Sequence, residues 1–503
     1  MRERLELRPL PAAAFVQPHW RASGPLPWVT AIALAFAVVQ LVVVVPGSGL
    51  SWDETIYVSQ VGGHTPPAFF SAPRARGISY LVAPVVALTS STTALRIYLA
   101  VLSAAALFVA LWIWRKVLPT PVLAWSGALF AGLWPTVFYG PAAMPNLWCA
   151  LGALAAVGCF VRAVHGAGDR AAVAGVGVAV ALVAALRPAD GVWLTLPLLL
   201  AVVLVPRWRR PAVFAVLVAG LLVGGAPWIV EAYAHHGGLL ARLHRASEIQ
   251  GGLGWHIAVD DQARALAGRT LCRPCGNPWR VPATAAWWAA VPVLVFGGIA
   301  VAHRRHRGGT VLLTAMTAMS LAVPYLFLID YAAPRFLLPA YALLAVPVAD
   351  CIVHLLTGVR RALRLVSAVV VTLAVVGHVG VQYQILSRVT ANSRITTARY
   401  TEMAGALHRL GVRPPCVVSG DRAVPIAFYA GCASRQTGGH DASSTPEVFQ
   451  AGIRRMPTAV IVAGRNRPPG FARDWRSVPL PHTHGGEPHR VYLPRRSHPS
   501  GAP

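Results

Sequence analysis

A helix that crosses the hydrocarbon core of a membrane, roughly 30 Å thick, needs about twenty consecutive apolar residues, and this chain offers such stretches repeatedly. Candidate spans lie at 27–49, 94–114, 120–138, 142–162, 171–187, 191–206, 212–231, 284–302, 310–329, 335–356 and 365–387, each bounded by charge, proline or glycine. Backbone amides find no water at that depth, so the expected fold is an all-α polytopic membrane protein of about eleven transmembrane helices. Composition agrees. Of 503 residues, 55% are hydrophobic and 12% charged, and the mean hydropathy is +0.56, whereas soluble domains carry about 25% charged residues. The first span is long and lacks a small-residue cleavage site, so it reads as a retained anchor.

Lysine and arginine in short loops stay on the cytoplasmic side. Arg2, Arg4, Arg8 and Arg21 precede the first span; Arg115 and Lys116, Arg162 and Arg170, Arg207, Arg209 and Arg210, Arg304, Arg305 and Arg307, and Arg360, Arg361 and Arg364 fill every second connection. This alternation makes 1–26 a cytoplasmic segment and 27–387 the membrane domain, with long outer loops at 50–93 and 232–283. Residues 388–493 form an extracytoplasmic domain, and 494–503 a disordered tail. The net charge of +26 is thereby divided between an inner set that sets topology and an outer set that includes Arg74, Arg76, Arg242, Arg245, Arg264, Arg269, Arg273 and Arg280. The outer set suits phosphate-bearing lipid headgroups or substrates, and equally fits an arginine-rich composition. Nucleic acid is not an expected partner outside a membrane.

The tail reads as a small α/β domain: a strand in Pro415–Asp421, a helix over Ala423–Tyr429, a strand at Thr458–Val462 and another at Val491–Leu493. No internal repeat is visible, which argues against a transporter built from inverted halves. Of seven cysteines, Cys149, Cys159 and Cys351 fall in spans, while Cys272, Cys275, Cys416 and Cys432 fall outside. The simplest of three connectivities pairs Cys416 with Cys432 and Cys272 with Cys275. Zinc at Cys272-x-x-Cys275 is the competing reading, and it lacks a second such pair.

Carboxylates near lipid are costly and usually functional, because burial poises them for proton transfer. Asp53 and Glu54 stand where the first span leaves the membrane, within Ser51-Trp52-Asp53-Glu54-Thr55-Ile56-Tyr57. A solvated helix end would account for the same dipeptide. His64, Arg74 and Arg76 follow, then an apolar stretch, Ile78 to Leu88, too short to span and suited to the interface. Arg335 opens a second constellation, Asp330 to Tyr341, at the lip of a span, and Arg187, Trp228 and Glu231 lie at the same expected depth, so one outer cavity can hold them all. Arginine is the natural partner of a phosphate; a snorkelling anchor is the bland alternative. Trp52 and Trp255 suit stacking on a sugar as well as an aromatic belt.

At these residues the chain resembles the membrane glycosyltransferases of the GT-C superfamily, in particular the protein-mannosyltransferase and aminoarabinose-transferase branch. The likeness rests on Asp53-Glu54 in the first outer loop, the Pro-x-x-x-Tyr-Gly run from Pro135 to Gly140, and the Arg-aromatic-Leu-Leu-Pro-x-Tyr run from Arg335 to Tyr341, in that order. It implies a polyprenyl-phosphate-linked sugar donor, a glycan, lipid or protein acceptor on the outer face, and Asp53 as the catalytic carboxylate, with Glu54 positioning it or the acceptor. Inverting displacement needs one base and a cation at the leaving phosphate. Arg335, Arg187, Arg74 and Arg76 are the candidates for the phosphate, and Trp52, Tyr57, His64, Glu231 and Tyr341 for the rest of the substrates. Relatives use lysine at the phosphate where this chain has only arginine in its outer loops. No cofactor is demanded, and a divalent metal is compatible with the carboxylates. The competing class is a non-catalytic lipid or polysaccharide transporter or assembly protein, which needs polar residues inside its spans; here those are few, chiefly Asp350, His354 and His378.

The alternation of arginines predicts an N-inside, C-outside topology. Reporter fusions after residues 26 and 410 are expected to report opposite sides of the membrane, and a cytoplasmic signal from both would overturn the assignment.

Overall fold

A computed structural model describes residues 24–495 except 167, 274, 276, 277, 280, 440, 441, 454, 455 and 482–486. Arg2, Arg4, Arg8, Arg21 and Arg280, and nearly all of the tail expected at 494–503, lie outside the described residues.

The apolar runs become helices because nothing else satisfies their backbone in lipid. The chain enters through α1 (Pro25–Val39), which ends in a π-helical turn at Gln40–Val44, and then makes α2 (Trp52–Ser59), α3 (Gly77–Val86) and α4 (Thr92–Trp114). There follow α5 (Thr120–Ala131), α6 (Trp134–Tyr139), α7 (Pro145–His165), α8 (Arg170–Leu186), α9 (Pro188–Leu204) and α10 (Pro211–His235). Beyond these come α11 (Leu239–Ile249), α12 (Val259–Ala265), α13 (Ala283–Arg304), α14 (Gly308–Phe327), α15 (Leu338–Thr357) and α16 (Arg361–Arg409). Proline opens many of them: Pro25, Pro121, Pro145, Pro188, Pro211 and Pro339 stand in first turns, where the missing N–H is no loss.

Among the described residues eight helices are long and apolar enough to cross a membrane, and α5, α8 and α9 are shorter apolar helices at three further expected spans. The protein is a multi-pass membrane protein. Its third expected span, 120–138, is broken in two. Gly132 closes α5 and Pro135 sits in the first turn of α6, and the freed N–H of Trp134 donates to Gln382 Oε1 of α16 at 2.8 Å. A periodicity reading sees only an unbroken apolar run there.

At the boundary expected at 388 the helix continues: α16 runs 49 residues without interruption, about 74 Å at 1.5 Å per residue, and carries the chain from the bundle into the C-terminal domain. That domain holds a five-stranded sheet in the order β2-β1-β3-β5-β4, built from β1 (Val417–Gly420), β2 (Ala433–Ser434), β3 (Thr458–Ala463), β4 (Arg476–Pro479) and β5 (His489–Leu493), with α17 (Ala423–Ala430) and α18 (Pro446–Ile453). β1 is parallel to β2 and β3; β5 is antiparallel to β3 and β4. Leu407 and Met403 of α16 pack with Val418, Ile426, Ile461 and Val491 in its core. Both expected disulfides are present, Cys272–Cys275 and Cys416–Cys432.

Two features lock the bundle. At one end of α14 and α15, Arg307 grips Asp350 through two hydrogen bonds of 2.8 and 2.5 Å, so this buried acid is neutralised by a neighbouring arginine. Elsewhere α10 lies against α8 at backbone distance. Gly220 and Gly224 face Gly177 and Ala181, and a Cβ on Gly224 would overlap the Ala181 carbonyl. Such small-residue spacing on both partners is how helices approach in lipid. Gly224→Leu is therefore expected to force α8 and α10 apart and to destabilise the protein by the roughly 1–3 kcal/mol typical of overpacking, read as an earlier thermal unfolding in detergent; an unchanged melt would show that this approach is dispensable.

Candidate active site

The site begins where the chain leaves the π-helical turn after α1. Ser51 precedes α2, and Glu54, three residues on, accepts from the Ser51 N–H at 2.9 Å through Oε2, as the Ser-x-x-Glu spacing favours. Glu54 is 3% exposed. Its Oε1 accepts from Arg96 Nη1 at 2.5 Å and from the Ala143 N–H at 2.8 Å, and its Oε2 also accepts from Arg96 Nη2 at 2.9 Å. Arg96, near the start of α4, donates in addition to the carbonyls of Pro141, at 2.7 Å, and Gly49. Burial favours the neutral acid, but the Arg96 guanidinium prevails and holds the Glu54 carboxyl below the ordinary range. Both oxygens of Glu54 are thus occupied.

Asp53, one residue earlier, is turned about 100° around α2 and faces a cavity of about 500 Å³. Its Oδ1 accepts from Arg74 Nη1 at 2.9 Å and its Oδ2 from Arg335 Nη2 at 3.2 Å. Arg335 leads into α15; its Nη1 donates to the Thr270 carbonyl at 2.8 Å, and its guanidinium lies 5.9 Å from the Tyr139 ring and 5.3 Å from that of Phe336. The Pro135–Gly140 and Arg335–Tyr341 runs therefore meet. Gly140 matters here because a Cβ on it would strike the Gln40 side chain. Arg187 is a third cation nearby, 5.6 Å from the Phe336 ring and 5.2 Å from that of Tyr325, with Asp190 Oδ2 at 3.6 Å. Asp190, itself 1% exposed, is the counter-charge of Arg187. At Asp53 burial again raises the pKa, and Arg74 and Arg335 outweigh it, leaving the carboxyl below its ordinary value.

The remaining expected residues divide. Trp52 lines the cavity, and Tyr57 lies beneath Arg74, 5.6 Å from ring to guanidinium. Arg76 and Glu231 face each other instead of a shared cavity: Arg76 Nε donates to Glu231 Oε1 at 2.8 Å, and Glu231 Oε2 accepts from Arg242 at 2.9 Å. The fully buried Arg242 also donates to the carbonyls of Ala72, Trp228 and Arg74 at 3.0, 2.6 and 3.0 Å. This cluster ties down the loop that carries Arg74. His64 is exposed on the loop after α2. Tyr341 accepts from Trp288 Nε1 at 3.0 Å and borders a different cavity, apolar and of about 660 Å³, with Trp287 and His378. Asp261, Cys272 and Cys275 are the one group of three potential metal ligands found among the described residues, and its two sulfurs are spent on each other.

Sequence reasoning passed over Arg96. Its signal was available: a lone arginine in the first turns of an apolar span requires a partner, and the carboxylate at position 54 is its match. It also named no site residue in the C-terminal domain. In fact the Gly49 N–H donates to Thr397 Oγ1 at 3.1 Å and the Leu50 N–H to the Tyr429 hydroxyl at 2.6 Å, so α16 and α17 hold the segment that starts α2.

A helical membrane bundle with carboxylates at the head of its first loop and a C-terminal α/β domain is an arrangement similar in fold to solved membrane proteins. No protein-family model matches the chain, nor does any curated relative. Among solved structures, ArnT from Cupriavidus metallidurans bound to undecaprenyl phosphate superposes with a TM-score of 0.64 at 10% identity, covering 94% of this chain and 98% of that one. Its apo state gives 0.62 at 11% identity, with 93% and 97% covered. The Archaeoglobus fulgidus oligosaccharyltransferase tethered with an acceptor peptide gives 0.53 at 13%, covering 90% of this chain and 70% of that one.

Removing one member of a buried ion pair leaves the other uncompensated, at about 3–5 kcal/mol. Glu54→Gln is expected to lower the thermal unfolding temperature markedly in detergent, and Glu54→Gln with Arg96→Met to recover part of the loss. Equal melts for the single variant and the parent would remove Glu54 from this anchoring position.

Proposed function

We propose that the protein is a membrane glycosyltransferase that moves a sugar from a polyprenyl-phosphate donor to an acceptor hydroxyl on the outer face of the membrane, with inversion. The observation that carries the proposal is the Asp53 carboxylate bridged by Arg74 and Arg335 on the wall of a cavity. The likeness in fold to an ArnT that holds undecaprenyl phosphate supports the lipid class of the donor.

The donor phosphate is a stronger, bidentate partner for a guanidinium than a single carboxylate oxygen. On arrival it takes Arg335 from Asp53, with Arg187 adding charge from behind Phe336. Asp53 then regains basicity as its counter-charge is shared. The acceptor hydroxyl oxygen forms its bond to the anomeric carbon from the face opposite the phosphate and passes its proton to Asp53. The carbon–oxygen bond to phosphate breaks, and its electron pair leaves with the polyprenyl phosphate, stabilised by the arginines. Glu54 acts through position alone, holding α2 by way of Arg96. The cations that a metal would supply are already present as guanidinium groups, so the reaction proceeds without one. The transporter reading is the less favoured, since Asp350, the acid buried in a span near one end of the bundle, is closed off by Arg307.

Purified protein given labelled polyprenyl-phosphate sugars is expected to release polyprenyl phosphate, unaffected by chelator. Asp53→Asn should retain donor binding while turnover falls about 10²–10⁴-fold, whereas Arg335→Ala should weaken donor binding as well. Because the free-enzyme pKa of Asp53 is depressed by Arg74 and Arg335, its base form persists below the ordinary carboxylate range, and the acid limb of kcat/KM should lie at lower pH than that of kcat, where phosphate has drawn Arg335 away. Asp53→Asn with undiminished turnover would refute the base assignment.

A further inference from the structure

The cavity that holds Asp53 has a second wall, made by the C-terminal domain, and the part of the domain that makes it is specific. β1 and β3 are parallel neighbours whose onward connections leave in opposite directions, β1 toward β2 and β3 toward β4 and β5. The crevice outside the carboxyl ends of two such strands is where α/β sheets take their ligands. At that edge Asp421 and Arg422 follow β1, and His489 starts β5 opposite Ala463, the last residue of β3. All three line the cavity with Asp53. His489 Nε2 and Asp421 Oδ2 are 2.8 Å apart, and the buried Nδ1 of His489 has no hydrogen-bond partner among the described residues. Arg422 is exposed and adopts a φ of +52°, a left-handed conformation that a side chain accepts only under constraint. Gly420, at φ +92°, makes the turn, since a Cβ there would overlap the Ile461 carbonyl.

We propose that Asp421, Arg422 and His489 form the acceptor subsite and that it takes a glycan. This rests on the transferase reading above. A half-exposed carboxylate, a guanidinium and an imidazole are the donor and acceptor set that vicinal sugar hydroxyls require. The helix that joins this edge to Asp53 continues the pattern: Asn392, Ser393 and Thr396 of α16 face the same cavity, and Trp52 offers it an aromatic face. Hydroxyls and charges run along this path beside apolar residues such as Val389 and Met403, and an acyl chain would leave those polar groups unpaired. A peptide added as a strand would need an open sheet edge, and the edge strands are β2 and β4, whereas the cavity is reached by the loops after β1 and before β5.

The test measures two ligands on full-length protein in detergent. One is undecaprenyl phosphate; the other is a panel of trisaccharides, α-linked mannose, glucose and arabinose, followed by saturation-transfer NMR and titration. At least one trisaccharide is expected to bind the parent, and Asp421→Asn and Arg422→Ala each to weaken it at least about tenfold, the worth of a lost charge-assisted contact, with undecaprenyl phosphate binding and thermal unfolding unchanged. His489→Gln should weaken it likewise. No trisaccharide binding, binding indifferent to these residues, or capture of a serine- and threonine-rich peptide or a lipid in their place overturns the proposal. Arg335→Ala reports on the donor: if it leaves undecaprenyl phosphate binding intact while the Asp421 variant loses the sugar, the donor reading fails and the subsite stands.

Discussion

The buried pair of Glu54 and Arg96 is the constraint from which the rest of the site follows. Two charges are taken out of water at the mouth of a bundle and held by several partners: the Glu54 oxygens receive Arg96 and two backbone N–H groups, and both terminal nitrogens of Arg96 also reach carbonyls, while its buried Nε has no partner among the described residues. Such a pair is seldom worth more than an apolar contact of the same shape, yet it tolerates few alternative arrangements. The segments it joins are the entrance to α2, the start of α4 and the loop between α6 and α7. Once these are fixed, Asp53 has only one direction in which to point, and the loop that leaves Tyr139 beneath Arg335 is fixed with it.

Around this frame the arginines are of two kinds. Arg96 and Arg242 are enclosed and spend their donors on backbone carbonyls and one carboxylate each, so they build the loops. Arg74 and Arg335 meet on a single carboxylate, two positive charges against one negative. Arg74 Nε also donates to Ser71 Oγ at 3.0 Å and Arg335 Nη1 to the Thr270 carbonyl at 2.8 Å, so both guanidinium groups are held in place while they share Asp53. An arginine composition that looks uniform in the sequence therefore separates, in the fold, into arginines enclosed within loops and arginines that meet on the Asp53 carboxylate at the cavity.

This separation marks what the sequence could and could not reveal. The apolar helices and the presence of a final α/β domain were legible because length and hydropathy act locally, and the pairing of Cys416 with Cys432 followed from their expected outer location and short separation. Asp53 and Arg335 were singled out by residue type and by their places at the ends of spans. The partnership of Arg76 with Glu231, residues 155 apart, was not legible, because both looked like surface charges facing a shared cavity. Nor was the break at Gly132, where Gln382 of a distant helix supplies what the backbone lacks. The assignment of Tyr341 to the substrate followed from its motif, whereas its place on α15 turns it toward Trp288 and another cavity.

The largest departure, the continuity of α16, also has the widest consequence. A hydropathy profile ends the last span where polar residues begin, but a helix need not end where lipid does, and no proline or glycine interrupts residues 381–404. Because one rigid element passes from the bundle to the sheet, the C-terminal domain is not suspended on a linker. Thr397 and Tyr429 bind the backbone of Gly49 and Leu50, four and three residues before Asp53, and a Cβ on Gly49 would collide with both. The carboxyl edge of the sheet and the carboxylate of α2 are consequently positioned by the same few contacts, so that any movement of the domain on the bundle must alter the mouth of α2 at the same time.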